Sequence, residues 1–393
     1  MTPAARLSAA IEILDDVLIG ENAERVLTTW ARGHRFAGSK DRAAIRDLVF
    51  DAIRCLRSYG WLGGAGQGRP SARQVMIGAL RAAGTDPDTL FCTDRFAPRA
   101  LTDEERAAAP DLDNAPQGVR LDCPDWLLPL YKETLGDTME AVLSGMRQRS
   151  EVFLRVNAAK STLGHALEHL ANDGIEALPH PLSETALRVT KGARAVARSQ
   201  AYLTGLVELQ DAGSQAIIDA LPLEDGMSVL DYCAGGGGKS LAMGARAKLT
   251  LTAHDVDPAR MQDIAARAGR AGLKITTARK SELAASYDLV LCDVPCSGSG
   301  AFSRSPQGKW ALTPSRLTHL TAIQSDILDE VAPMVRPGGC LAYATCSLFE
   351  VENTAQVSAF MARNSEFHLE KQRLLSPLEG GDGFFYAVLR RNA

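Results

Sequence analysis

The stretch that most limits what this chain can fold into is 227–240, MSVLDYCAGGGGKS. A short apolar run ends in an acid, Val229-Leu230-Asp231, and passes through Tyr232-Cys233 into four consecutive glycines, then Lys239-Ser240 and a small-residue helical pattern reaching Lys248. That order reads as strand, glycine loop, helix. Glycines placed there let the backbone approach a ligand with no Cβ in the way, while the free N–H groups of the helix start face the incoming group. Turn geometry alone does not call for four glycines between a buried-type strand and a helix.

Two ligand classes fit such a loop. A phosphate-cradling Walker loop ending at Gly238-Lys239-Ser240 needs its first glycine at position 233, which is Cys233. A nucleoside-type cofactor such as S-adenosyl-L-methionine (SAM) instead needs an acid for its ribose hydroxyls at the end of the next strand, about 20 residues on. Asp255 supplies it after 249–254, and Asp257 faces the same end of the sheet. Asp255, the first acid after the strand, is the preferred partner.

From 227 onward strands and helices alternate. Strand 227–231, helix 239–247, strand 249–255, helix 258–271, strands 273–277 and 287–293, helix 314–335 and strand 340–345 make repeated βαβ units, hence a parallel sheet with helices on both faces. A terminal strand, 384–390, is expected to close that sheet at one edge. Upstream, 4–60 and 74–83 carry helical spacing, Pro87, Pro98, Pro110 and Pro116 punctuate a linker-like region, and 124–148 is helical again. Strand 152–156, helix 161–173 and strand 184–190 form a small α+β module.

Composition narrows the class. A formal charge of −4 argues against a basic coat, so any nucleic-acid contact must come from local patches. Arg32, Arg35, Lys40, Arg42, Arg46, Arg54 and Arg57 outnumber Asp41, Asp47 and Asp51 in one such stretch, although a solvated helix face would look the same. A second, mildly basic stretch contains Arg147, Arg149, Arg155, Lys160, Arg188, Lys191, Arg194 and Arg198, placed to touch a phosphate backbone. There is no apolar run long enough to span a membrane and no leader-like start, so the expected home is the cytoplasm. Eight scattered cysteines without a C-x-x-C pair suit a reducing compartment and give no metal site; any cysteine that matters does so as a thiol.

Ligands of such sheets bind at the carboxyl ends of the strands, and two of those ends carry a cysteine: Asp293-Val294-Pro295-Cys296 and Thr345-Cys346-Ser347. A lone cysteine is more often a small buried hydrophobe. Two of them at the edge that also carries the glycine loop, one beside an acid and a proline, favour a nucleophilic thiol. Methylation of an unactivated ring carbon needs this set. C5 of a cytosine becomes nucleophilic when a thiolate adds to C6, an acid such as Asp293 assists at N3, and a second thiol assists the departure of the first. The base must be out of its stack, as in flipped or single-stranded RNA or DNA.

At these residues the chain resembles the RsmB and Nop2/Sun family of RNA (cytosine-5) methyltransferases. Asp231-Tyr232-Cys233-Ala234-Gly235-Gly236-Gly237-Gly238-Lys239, the run 293–300, Lys309-Trp310 and Thr345-Cys346-Ser347 look like its motifs. The resemblance implies that Cys346 is the nucleophile and that Cys296 assists product release, an order the residues alone leave open. With Asp293 already in place from the chemistry, Lys239 completes the catalytic set, and the resemblance assigns the cofactor to Cys233, Ala234, Gly235, Gly236, Gly237, Gly238, Lys239, Asp255, Arg260 and Asp293. The Gly38-Ser39-Lys40-Asp41-Arg42 helix start, followed by Leu48-Val49-Phe50, resembles the NusB-like RNA-binding domain fused to this catalytic unit in bacterial 16S ribosomal RNA methyltransferases. Asn157 and the 210–215 segment resemble the family's connecting module.

The expectation is therefore an α/β chain: a NusB-like all-α RNA-binding domain (1–122), a helical linker with a small α+β RNA-binding module (123–210), and a Rossmann-like class I SAM-dependent methyltransferase domain (211–393). RNA, most of all 16S ribosomal RNA, is the expected partner, with neither membrane nor DNA, and the protein is expected to be a monomer. Two departures stand out. Glycine replaces the family's loop proline, which predicts a loop that orders with cofactor and an affinity below the family's norm. After the third strand, where an acid usually meets the adenine amine, no acid occurs before Glu282. The rival readings are a tRNA substrate, an NTPase using 289–293 as a Walker B-like strand, and a non-catalytic RNA-binding assembly factor that keeps the fold without the chemistry.

Overall fold

The structure, a computed structural model, describes residues 1–108 and 110–393. The chain divides into two compact units, 1–149 with 302–312 and 150–301 with 313–393.

The first unit is helical. Helices Pro3–Leu18, Ala23–Gly33, Ser39–Arg54, Leu56–Leu62 and Ala72–Ala82 bury one stripe each, and Leu7, Leu14, Trp30, Ile45, Val49, Val75 and Met76 form their common core. Ser71 opens the last of these as a reciprocal cap with Gln74. The Pro-punctuated region folds as short turns and the helices Asp103–Ala107 and Gln117–Arg120, and the helices Leu128–Leu135 and Met139–Gly145 belong to this unit. So does 302–312: Lys309 is buried there with its Nζ donating to the Arg54 carbonyl, and Trp310 Nε1 donates to the Ile53 carbonyl at 2.7 Å.

The second unit holds two sheets. Strands β1 (Val152–Val156), β2 (Glu176–Pro179), β3 (Ala186–Lys191) and β4 (Val207–Leu209) make an antiparallel sheet in the order β2-β3-β1-β4, covered by helix Leu163–Asn172. β2 and β4 are too short to announce themselves in the sequence. The larger sheet contains β5 (Ser228–Asp231), β6 (Thr250–Ala253), β7 (Thr276–Thr277), β8 (Tyr287–Asp293), β9 (Val335–Thr345), β10 (Phe367–Leu375) and β11 (Phe384–Arg391), in the order β10-β11-β9-β8-β5-β6-β7. β7, β6, β5, β8 and β9 run parallel; β11 is antiparallel to β9 and β10 to β11.

Burial on both faces follows from the alternation. Leu230, Val290, Leu341 and Tyr343 point into one core, and Val229, Leu289, Leu291 and Ala342 into the other. The sheet order reverses beside β5, which pairs with β6 on one side and β8 on the other, and in such sheets ligands bind at the carboxyl ends of the strands beside that switch point.

Three expectations need correction. Strand 384–390 does not form the edge, because β10 lies outside β11. β10 reads FHLEKQRLL, rich in good helix formers, and its exposed charges suit a protected sheet edge. Helix 258–271 is two pieces, the turn Pro258–Met261 and helix Ile264–Ala271, and strand 273–277 shrinks to two residues.

Candidate active site

The loop after β5 turns sharply into helix Gly238–Arg246. Gly235 (φ +51°) and Gly237 (φ +77°) occupy backbone conformations that side chains rarely adopt, and a Cβ on Gly237 would stand 2.8 Å from Ile264 Cγ1. The loop is held from several sides: Ala234 N donates to the His254 carbonyl at 2.8 Å, and Gly235 N to Asp255 Oδ2 at 2.9 Å. Arg155 Nη1 donates to the Gly238 carbonyl at 2.9 Å and to Gln210 Oε1 at 2.7 Å. Arg155 is 3% exposed, so it is a strut under the glycine loop and cannot meet a phosphate backbone as the sequence suggested. Arg188 and Lys191 remain exposed, paired with Glu151 and Glu176.

Asp255, at the end of β6, is buried against this loop, with Arg260 Nη1 3.2 Å from its Oδ2. Asp257 is exposed and spent on capping Pro258–Met261 through Ala259 N. Glu282 likewise accepts from Arg279 N in its own turn. Beneath the loop Asp231 is fully buried. Its Oδ2 accepts from Ser240 Oγ at 2.6 Å, whereas Oδ1 has no hydrogen-bond partner among the described residues. Burial pushes this carboxyl up to about 7, against the pull of Ser240.

At the end of β8, Asp293 Oδ2 accepts from Lys239 Nζ at 2.6 Å. Burial would lower the lysine, but the charge and hydrogen bond of Asp293 outweigh it, and Cys346 acts in the same sense, so the ammonium is held above its usual value. The two loops after β8 and β9 then close on each other. Cys296 Sγ lies 3.4 Å from Cys346 Sγ, and Gly300 N donates to the Cys346 carbonyl at 3.0 Å. Gly300 is required here, because a Cβ would fall 2.1 Å from the Gly383 carbonyl. The half-buried Cys296 thiol is pushed well above its usual value by its hydrogen bond with Cys346, by desolvation and by the nearby Glu352 carboxylate. Cys233 is also pushed up, chiefly by burial, and is therefore a poor nucleophile.

The fold thus brings Cys346, Cys296, Asp293 and Lys239 together at the carboxyl edge, with the 233–238 loop, Asp255 and Arg260 on the same edge. Lys309 and Trp310 fold with the helical unit. Sequence reasoning missed Glu352, which is 0% exposed and joins both cysteine loops; its signal was an acid in the apolar surroundings of Leu348-Phe349 and Val351, just after Thr345-Cys346-Ser347. The donor set fits a nucleoside cofactor: a bare-backbone cradle, a buried acid at the end of β6, and the unpartnered Asp231 Oδ1 below.

Comparison with known proteins bears on the family and the fold. Residues 218–390 match the family described as 16S rRNA methyltransferase RsmB/F, and residues 123–196 match the RsmF/B-like ferredoxin-like domain. The ribosomal RNA small subunit methyltransferase B of Yersinia enterocolitica is 30% identical over 398 residues, spanning 89% of this chain and 90% of its own length. The crystal structure of PH0851 aligns over 100% of this chain and 99% of its own with a TM-score of 0.75 at 22% identity. NSun6 from Pyrococcus horikoshii, solved with SFG, aligns over 69% of this chain and 98% of its own with a TM-score of 0.61 at 17% identity. At such identities the two structures speak for the fold.

Proposed function

This chain belongs to the RsmB/F family of 16S rRNA methyltransferases, and on that premise we propose that it methylates C5 of a cytosine in RNA, with SAM as methyl donor and 16S ribosomal RNA as substrate. The observation that carries the reading is the pair of thiols 3.4 Å apart, from two different strand-end loops, beside the Lys239–Asp293 ion pair. The two thiols are both free and form no disulfide. One suffices as the nucleophile, and a second beside it can assist its release.

Cys346 adds to C6 of the cytosine, and the electron pair of the C5–C6 double bond becomes available at C5. SAM supplies the methyl group as an electrophilic sulfonium methyl. During addition a proton shared between the Asp293 carboxyl and N3 passes to N3, taking up the charge the thiolate delivers, while Lys239 Nζ fixes the other side of that carboxyl. Loss of the C5 proton then restores the double bond and expels Cys346, while Cys296, kept as a thiol, assists that departure. The surroundings of Cys296 support this division of labour, since its hydrogen bond with Cys346, burial and the nearby carboxylate of Glu352 all oppose its ionisation. The 233–239 loop, Asp255, Arg260 and Asp293 hold the cofactor. We assign RNA positioning to a NusB-like helical domain at 1–122 and to the module at 123–210, ahead of the catalytic domain at 211–393.

Trapping tests the reading. Incubated with SAM and unmethylated small-subunit RNA, Cys296→Ala is expected to accumulate a denaturation-resistant protein–RNA adduct, and Cys346→Ala none. An adduct that persists in Cys346→Ala and vanishes in Cys296→Ala would reverse the roles; no adduct in either variant, with wild type inactive, would refute the reading.

A further inference from the structure

Glu352 ends the turn Glu350–Glu352 that follows the Thr345-Cys346-Ser347 loop, and it is completely buried. Its carboxylate takes four donors. Oε1 accepts from Ser297 N at 2.8 Å and Gln324 Nε2 at 3.0 Å; Oε2 accepts from the hydroxyls of Ser297 and Ser347. Gln324 Nε2 reaches the Pro295 carbonyl as well, at 2.9 Å, and the Tyr343 hydroxyl donates to the Glu352 carbonyl at 2.6 Å. Asn353 completes the frame, its Oδ1 accepting from Thr345 Oγ1 at 2.6 Å and its Nδ2 donating to the Ser347 carbonyl at 2.9 Å.

Ser297 follows Cys296 in sequence and Ser347 follows Cys346. One carboxylate therefore ties the backbones beside both thiols. A buried acid is costly to desolvate, and packing alone would be served by an apolar side chain. The cost is offset here because four donors occupy both oxygens. We propose that Glu352 is a positioning residue of the thiol pair, setting the separation and alignment of Cys296 and Cys346 by holding the Pro-Cys and Thr-Cys-Ser loops on a single carboxylate.

The inference rests on the cytosine-methylating reading for its catalytic consequence but not for its geometry. The position of Cys346 relative to C6 fixes the addition step, and a misplacement on the order of 1 Å costs about 100-fold in rate. The charge of Glu352 also bears on Cys296, one of the influences that keep this thiol protonated.

Glu352→Gln preserves shape while removing the charge and two acceptor sites. The expected result is a kcat for methyl transfer lowered by about 10- to 100-fold, with KM for RNA changed by less than about 2-fold. In RNA-free protein, alkylation by iodoacetamide, read by peptide mass spectrometry at each thiol across pH, is expected to begin at lower pH for Cys296 than in wild type. A Glu352→Gln protein with wild-type kcat and unchanged pH profiles at both thiols would overturn the proposal. Should that variant fail to fold, Ser347→Ala, which deletes one of the four donors, goes through the same two assays: a lowered kcat with a shifted Cys296 profile supports the clamp, and wild-type values in both overturn it. A wild type that transfers no methyl would sink the proposed function instead, leaving the alkylation profiles to judge the clamp.

Discussion

Asp231→Asn probes the electrostatics of the strand-end edge through stability. The wild-type carboxyl is 1% exposed, one oxygen is bonded to Ser240 and the other has no partner among the described residues, and its value stands at about 7 against 3.8 for the free group. Between those two values the native state binds the proton that the unfolded state has lost. Stability is therefore greatest below the unfolded value and falls as pH rises towards the folded one. At 1.36 kcal/mol per unit, the mismatch lowers stability relative to its low-pH limit by about 1.7 kcal/mol at pH 5 and about 4 kcal/mol at pH 8. Asparagine keeps the shape, accepts from Ser240 and carries no charge. The variant is thus expected to gain about 2–3 kcal/mol on wild type between pH 5 and pH 8. Urea unfolding of both proteins at pH 5, 6, 7 and 8, followed by circular dichroism, reads the difference directly. A variant-minus-wild-type difference constant to within about 0.5 kcal/mol over that range would refute the reasoning.

Two further perturbations follow from buried hydrogen bonds. Asn157 is 2% exposed and donates from Nδ2 to the Gly205 and Ala271 carbonyls at 3.0 and 2.9 Å, so Asn157→Ala strands two buried acceptors and is expected to cost about 2–3 kcal/mol in the same unfolding assay; a loss under about 0.5 kcal/mol would contradict it. Arg155→Met removes the strut from the Gly238 carbonyl and is expected to weaken SAM binding in calorimetry while leaving RNA binding, measured without SAM, unchanged; lost RNA binding with intact SAM affinity would restore Arg155 as a phosphate contact.

The Rossmann-like fold was legible because its signals are local. The glycine run holds the positive-φ turn at Gly235 and Gly237, Asp255 follows its strand at the nucleoside spacing, and Cys296 and Cys346 each follow a buried apolar run. What escaped depends on tertiary context. Strand β10 hides behind helix-forming residues because pairing with β11, and not local propensity, decides its conformation. Arg155 looks like any other arginine of a basic stretch until β1 aims it at Gln210 and Gly238. Lys309 sits in a motif of the catalytic chain and yet is buried in the helical unit, where burial lowers it against the pull of Asp122. Glu352 had no pattern of its own, since its meaning lies in Ser297 and Ser347, which only the fold brings to one carboxylate.

Cytosine methylation by this chain is tested most directly by transfer of tritiated methyl from SAM to small-subunit ribosomal RNA lacking its 5-methylcytosines, with total tRNA and DNA alongside, by wild type and Cys346→Ala. The expected result is label in ribosomal RNA, recovered as 5-methylcytosine and lost in Cys346→Ala. Label in tRNA alone would move the substrate, and no label from a protein that still binds RNA would contradict the claim that this chain is a cytosine methyltransferase.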